Sequence, residues 1–400
     1  MKTLFFCNLI PLKTGAFEAL LAAIGTEFAK AGDEFVVVFG GEPIAPVAQS
    51  LQAAGVRWQV LPHWADGPGR EHAWRFVLPA IGLVRRERPD VAVVHFGNEL
   101  PTLAACLLTR WRGGRRTRWV WQQDQQIRDP GRLGRHLSRI RLLAAGVDHF
   151  VAVYQGGRQS LIKRGISDTR IAVIPNSIAP FDSQRAPGWL RRDLNLPSAA
   201  VLFVTTGSLI ARKRIDFLVR ACAGLPAGVT TDWRLLIIGE GPGREALAAE
   251  ARRLGVEPRV RFLGLRNDVR EILAEADVMI HAALSEAFSY AITESMAAGI
   301  PAVVTEAGAA REQIEDGRSG FVVGRDDLEM FTSRVGLLMA DPALRKRMGA
   351  AARQRWMEHF RLDVCAGQYH SLYKNLSLEP MPSIGAGWVS RDVRSFRCQR

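Results

Sequence analysis

Cysteine is scarce in this sequence: Cys7, Cys106, Cys222, Cys365 and Cys398 are five in 400 residues, odd in number and far apart. None stands at a metal-ligand or redox spacing, which fits a reducing compartment. Long apolar runs are missing too. No stretch approaches the roughly 18 uninterrupted apolar residues of a spanning helix, so the chain reads as soluble or bound to a membrane surface. The opening MKTLFFCNLI imitates a signal peptide, but Asn8 interrupts it, Pro11 stops it and no small-residue cleavage site follows. A first buried strand is expected there instead. That strand leads into Asn8-Leu9-Ile10-Pro11 without a phosphate-binding glycine fingerprint, which argues against a dinucleotide dehydrogenase.

Apolar residues make up 48% of the chain, and its length suits two well-packed domains better than one. Short apolar runs alternate with helical patterns. In the first half the expected strands are Leu4–Leu9, Phe35–Phe39, Val91–His95, Trp119–Trp121 and Phe150–Val153, with a helix from about Ala16 to Ala31. After Pro175-Asn176-Ser177 a turn-rich connection follows, and the alternation restarts with Val201–Thr205, Leu235–Ile238, Val260–Phe262, Val278–Ile280 and Ala302–Val304. The pattern predicts an α/β protein of two doubly wound parallel units, Rossmann-like, with a cleft between them. The expected division is 1–180 for the first domain, 181–200 for the linker and 201–355 for the second domain, with a helical closure over 356–376 and a poorly ordered tail over 377–400.

Charge is uneven. Residues 1–180 hold 23 Lys and Arg against 14 Asp and Glu, whereas 181–376 hold 26 against 24. An anionic partner for the first half is implied. Arg110, Arg112, Arg115, Arg116 and Arg118 cluster between aromatic residues, and Leu133, Leu137, Ile140 and Ala144 form a helical stripe beside Arg132, Arg135, Arg139 and Arg141. Such a helix either lies on anionic lipid or turns its stripe to the core with its arginines in solvent; both readings stand. Nucleic acid is not expected as a partner, because no recognised nucleic-acid module accompanies the charge.

Ligands of doubly wound sheets bind beyond the carboxyl ends of the strands. On that rim Glu286 and Glu294, eight positions apart, flank a turn into a helix expected over Tyr290–Ala298 and ended by Gly299-Ile300-Pro301. The amides of Phe288, Ser289 and Tyr290 are expected to be unpaired and aimed outward at an anion. Strand Val201–Thr205 leads into Gly207 and the cations Arg212, Lys213 and Arg214, which suit a diphosphate. Strand Leu235–Ile238 opens into Gly239-Glu240-Gly241-Pro242-Gly243, where the backbone can approach a ligand, though turns of this kind often need glycine for sterics alone. Further rim loops hold Leu263-Gly264-Leu265 before Asp268, and Gly308 before Arg311-Glu312 and Asp316-Gly317.

In order and spacing these elements resemble the nucleotide-sugar domain of the retaining glycosyltransferases of family 4 (glycosyl transferases group 1), with the GT-B fold, over most of residues 200–323. The first half is similar more loosely, through Gly15, Pro89-Asp90 before the strand ending at His95, and Ile174-Pro175-Asn176. The resemblance implies transfer of a sugar from a nucleoside diphosphate to a glycan or lipid-linked acceptor held by the first domain, with retained configuration and neither cofactor nor required metal. A cell-envelope or exopolysaccharide role is expected, cytoplasmic and at the inner face of the plasma membrane, a location motivated by the basic charge of the first half. The resemblance assigns Lys213 to the diphosphate, Glu294 to the ribose hydroxyls and Glu286 to the donor sugar. The amides of Phe288, Ser289 and Tyr290 would hold the phosphate, and the Leu265 backbone would face the base.

The chain also departs from that pattern. Gly207-Ser208 replaces the usual Gly-Arg, leaving Arg212 as a substitute cation, and Glu286-Ala287-Phe288-Ser289 replaces Glu-Gly-Phe-Gly, narrowing the space at the sugar. Trp121-Gln122-Gln123-Asp124 stands where many members carry a histidine. Gly15, His95 and Asp124 are therefore the acceptor-side candidates. Two alternatives remain: a nucleotide-sugar-binding protein without turnover, and a cytosolic transferase or epimerase acting on a small molecule.

Overall fold

The computed structural model describes residues 1–12, 15–61, 77–95, 99–109, 111–112, 115–123, 139–180, 183–226 and 232–378. In chain order the first half gives β1 (Lys2–Cys7), β2 (Glu34–Phe39), β3 (Arg57–Val60), β4 (Val91–His95), a hairpin of β5 (Trp111–Arg112) with β6 (Arg115–Arg116), then β7 (Arg118–Gln123), β8 (His149–Ala152) and β9 (Ile171–Val173). Seven of these form a parallel sheet in the order β3-β2-β1-β4-β7-β8-β9. The second half gives β10 (Val201–Thr206), β11 (Trp233–Ile238), β12 (Val260–Gly264), β13 (Val278–His281), β14 (Ala302–Thr305) and β15 (Gly320–Val323), parallel in the order β12-β11-β10-β13-β14-β15.

Runs such as FVVVF and WRLLII are apolar on both faces because helices cover both faces of each sheet. Alternate residues enter different cores. Leu202 and Val204 point to one cluster and Val201 and Phe203 to another; in the first sheet Leu4 and Phe6 oppose Phe5 and Cys7. The helix Ala16–Lys30 buries Leu20, Leu21, Ile24 and Phe28, the helical stripe of its core face, and the Glu18 carboxylate accepts the Gly15 amide at 3.0 Å.

Three parts differ from the expected division. The segment expected as a linker is packed: helix Trp189–Asp193 puts Trp189 and Leu190 into the second domain's core. An expected boundary between 355 and 356 falls inside one continuous helix, Pro342–His359, started by Pro342 and capped by Asp341, whose carboxylate accepts the Leu344 amide at 2.8 Å. The closing helix, Leu362–Leu378, belongs to the first domain. Two crossings make this possible, side by side, since the Ile178 amide donates to Phe360 O at 3.3 Å and the Leu362 amide to Ile178 O at 3.1 Å. Residues 377 and 378 extend that helix, and 379–400 lie outside the described residues.

Tyr369 and Tyr373 of the returning helix are fully buried with Phe5, Phe28 and Phe35, Gln122 donates to the Tyr369 hydroxyl at 2.9 Å, and Asp33 receives His370 and Lys374 at 2.9 and 3.0 Å. Truncating so large a buried ring leaves a cavity as well as losing contacts. Tyr373→Ala is expected to cost about 3–5 kcal/mol, read as a lower urea midpoint, and a change under about 1 kcal/mol would show that this helix does not hold the first domain.

Among the described residues no helix is long and apolar enough to cross a membrane. Of the basic stripe, the helix Arg139–Leu143 and the residue after it are described; Ile140 is buried in the first domain's core and Ala144 packs against that core. Leu133 and Leu137, with Arg132 and Arg135 beside them, lie outside the described residues. Arg118 is buried beside Asp148 at 3.5 Å.

Candidate active site

In the second sheet the strand order reverses between β10 and β13, so the loops leaving these adjacent strands diverge to opposite faces and open a crevice at the carboxyl edge. Both loops carry charge there. After β10 the chain passes Gly207, makes a short 3-10 turn over Ala211–Lys213 and enters helix Ile215–Ala223 through Arg214, whose φ of 50° is left-handed. After β13 it reaches Glu286 and then helix Tyr290–Ala298, which Gly299 ends at φ 74°. The two loops are joined: the Leu284 amide donates to Arg212 O at 2.9 Å, and the Arg212 guanidinium to Ser285 O at 2.6 Å.

At this junction the Lys213 ammonium lies 2.6 Å from Glu286 Oε1, and His281 Nε2 lies 2.7 Å from Glu286 Oε2. All three side chains are largely buried. Burial by itself would raise the Glu286 carboxyl, but the hydrogen bond from His281 and the Lys213 ammonium outweigh it and hold the group at about 2. Glu286 is therefore an acceptor-only carboxylate at neutral pH. Arg214 turns elsewhere, to Arg325 O at 2.7 Å and Asp326 at 2.9 Å, with its guanidinium 4.5 Å from the Phe217 ring centre.

The turn expected to meet an anion differs in one respect from expectation. Ser289 does not present a free amide: it donates to Gln313 Oε1 at 3.3 Å, and Gln313 Nε2 donates back to Ser289 O at 2.8 Å and to Thr293 Oγ1 at 2.8 Å. Phe288 and Ser289 are both buried, and Tyr290 is partly so. The glycines answer to neighbouring loops. A Cβ on Gly239 would stand 2.0 Å from Gly207 O, and one on Gly308 would stand 1.7 Å from Glu286 O. These close approaches clamp the β10, β11 and β14 loops onto the turns that hold Lys213 and Glu286.

Glu294, one turn into its helix, is half-buried, and burial raises its carboxyl against the opposing charge of Arg270. Leu265 is 81% exposed just after β12, and a cavity of about 310 Å³ lined by Trp189, Leu190, Asp193, Leu194, Leu263 and Arg266 flanks it in the chain. On the first domain, His95 ends β4 beside Cys7 of β1, at that sheet's own reversal point. It is fully buried, stacked on Phe17 at 4.5 Å, and burial pushes it down to about 3, so at neutral pH it is an uncharged ring. Gly15 begins helix Ala16–Lys30, and Asp124 lies outside the described residues.

The carboxyl edges of the sheets meet at one further contact. Glu312, after β14, accepts the amide of Gln155, the first residue of helix Gln155–Lys163 after β8, with both oxygens at 2.9 Å. A carboxylate there faces the positive end of the helix dipole. Burial still raises the Glu312 carboxyl, opposed by the Gln155 and Gly156 amides. Sequence reasoning missed this contact, as it missed His281 and Gln313. His281 left one trace, a polar residue closing the apolar run VMIH. Among the described residues no group of three or more His, Cys, Asp or Glu is placed to hold a metal ion.

Comparison with known proteins agrees with this architecture. The profile described as Glycosyl transferases group 1 matches residues 190–355, and that of Glycosyltransferase Family 4 matches residues 18–180. N-acetyl-alpha-D-glucosaminyl L-malate synthase of Bacillus anthracis is 29% identical over 184 residues, 46% of this chain and 48% of that protein. The lipopolysaccharide core biosynthesis glycosyltransferase LpsE of Rhizobium meliloti is 32% identical over 182 residues, 46% of this chain and 52% of that protein. The chain thus spans about half the length of the curated relatives it matches. Among solved structures, Anabaena HepE in complex with UDP superposes with a TM-score of 0.74 at 20% identity, covering 94% of this chain and 100% of that one. A glycosyltransferase from Rickettsia africae does so with a TM-score of 0.79 at 17% identity, covering 95% and 99%. Two parallel sheets and the two profiles on the two halves place the chain in the glycosyl transferases group 1 family, with the GT-B fold.

Proposed function

We propose that this protein transfers a sugar from a nucleoside-diphosphate sugar, held by the second domain, to a glycan or lipid-linked acceptor held by the first. The observation that carries the reading is the Lys213–Glu286 pair, a cation and an ionised carboxylate in contact at the reversal point of the second sheet. Such a pair offers a positive charge to a departing diphosphate and an acceptor to sugar hydroxyls. HepE, of the same fold, has been solved with UDP and with UDP-glucose, which supports a donor of this class. In this scheme charge grows on the diphosphate as the glycosidic bond breaks, and Lys213 with the turn before helix Tyr290–Ala298 stabilises it. The acceptor hydroxyl attacks on the face the diphosphate leaves and passes its proton to the departing diphosphate oxygen, so the configuration is retained. No step needs a cofactor or a metal ion.

The relatives include lipopolysaccharide and exopolysaccharide proteins, and the first half of the chain is basic. Both support an envelope-polysaccharide role at the anionic inner face of the plasma membrane. A thermal-shift screen over nucleoside diphosphates and their sugars, followed by transfer assays with acceptor extracts and anionic vesicles at low salt, tests the whole reading. Expected is a shift for one nucleotide class, turnover of its sugar and vesicle binding. Binding without turnover for every donor would instead favour a nucleotide-sugar-binding protein, and no shift at all would remove the donor site.

A further inference from the structure

His281 is the last residue of β13, and its side chain is 5% exposed. Its Nε2 sits 2.7 Å from Glu286 Oε2, with Ser289 Oγ 3.4 Å from the same nitrogen. An ionised carboxylate only accepts, so Nε2 carries the proton that Glu286 receives. Lys213 and His281 differ in how they are mounted. Lys213 reaches Oε1 on a flexible four-carbon stem from a 3-10 turn, whereas His281 is a rigid ring on a strand paired with β14 through its own residue, His281 opposite Val304. Ser289, beside the same nitrogen, is pinned through its backbone by Gln313.

We infer that His281 is the positioning residue of Glu286: the fixed partner that keeps the carboxylate aimed when Lys213 turns to a bound diphosphate. This rests on the donor-site reading above. A diphosphate competes with Glu286 for the Lys213 ammonium, and once it wins, Glu286 Oε1 loses that ammonium. The terminal torsion of a glutamate is soft. Without His281 the carboxylate swings, and its hydrogen bonds to the sugar are lost while the contacts to the nucleotide are kept. His281 therefore acts on the sugar half of the donor, through Glu286, and touches no substrate itself.

The test compares His281→Leu, His281→Gln and His281→Asn with the unaltered protein. The probes are the nucleoside diphosphate and the nucleotide sugar that give the largest thermal shift in the screen. Glutamine can present an N–H near the position of Nε2, whereas asparagine is too short. Expected for His281→Leu is a loss of about tenfold in affinity for the nucleotide sugar relative to the bare diphosphate, whose own affinity stays within about threefold. A lower kcat should accompany it, with His281→Gln recovering most of both and His281→Asn recovering little. Equal weakening of both ligands, or equal behaviour of the Gln and Asn variants, would overturn the inference, and these two polar variants decide it even if His281→Leu does not fold. If the unaltered protein binds no nucleotide sugar, the donor-site reading fails first, which is a different result.

Discussion

Lys213→Ala should lower kcat/KM by about 10²–10³-fold, the usual effect of removing one preorganised group that meets charge developing on a leaving group. The effect is expected to be this large because Lys213 is the cation that the fold brings to the crevice. Arg214 is committed to Arg325 and Asp326, and the Arg212 guanidinium is held by a Ser285 carbonyl. The Ser208 hydroxyl, where the family usually has arginine, adds no charge. Removing Lys213 also takes a cation from an ionised Glu286 in a largely buried place, so a stability loss on the order of 1–3 kcal/mol should accompany the kinetic one. Steady-state kinetics with the preferred donor, alongside urea melts, separate the two. A Lys213→Ala protein that folds and keeps its kcat/KM would end the leaving-group role.

Glu294→Ala should abolish the nucleotide-induced thermal shift. Hydrogen bonds to a charged acceptor contribute about 1.5–3 kcal/mol, so losing those to two ribose hydroxyls should weaken nucleotide binding about 100-fold or more. At ligand equal to 100 times the original Kd, the linked stabilisation then falls from about 2.7 to about 0.4 kcal/mol. The shifted carboxyl adds a second expectation. The folded Glu294 carboxyl lies above 4.5, so the folded protein holds that proton more tightly than the unfolded chain does, and stability is lost as pH rises from 4.5 through the folded value. Because burial raises this carboxyl, its ionised form is a cost that ligand binding offsets. Glu294→Gln should therefore melt higher than the unaltered protein without nucleotide at pH 7. A lower ligand-free melt for the Gln variant, or an unchanged shift for the Ala variant, would remove Glu294 from the ribose role.

Ten strands were legible because a parallel sheet covered on both faces writes itself as short continuous apolar runs. The three sheet strands that were not legible lack that signature for definite reasons. The edge strand β3 reads Arg-Trp-Gln-Val and is half exposed, β9 is three residues long, and β15 begins with Gly320. The placement of Lys213 and Glu286 on the rim, before the helix that follows, was legible from residue type, order and spacing. What stayed hidden depends on contacts between segments far apart in sequence. Lys213 and Glu286 are 73 positions apart, and Glu312 reaches 157 positions back to Gln155. Ser289 was assigned an open amide because nothing local shows that Gln313, 24 positions on, would occupy it. The linker was misjudged for a similar reason, since Trp189 and Leu190 are too few to make a period but enough to join a core.

The returning helix sets an order of events during synthesis. The first domain's core includes Tyr369, Tyr373 and Leu376, which follow the whole second domain in the chain. At about 5–20 residues per second, the roughly 180 residues between the first crossing and that helix take on the order of 10–40 s to emerge from a ribosome. Through that interval the half made first exposes the apolar face of Phe5, Phe28 and Phe35, while the half made second can already close. Of the two domains, the one made earlier is thus completed later, and nascent-chain chaperones have their longer window on it.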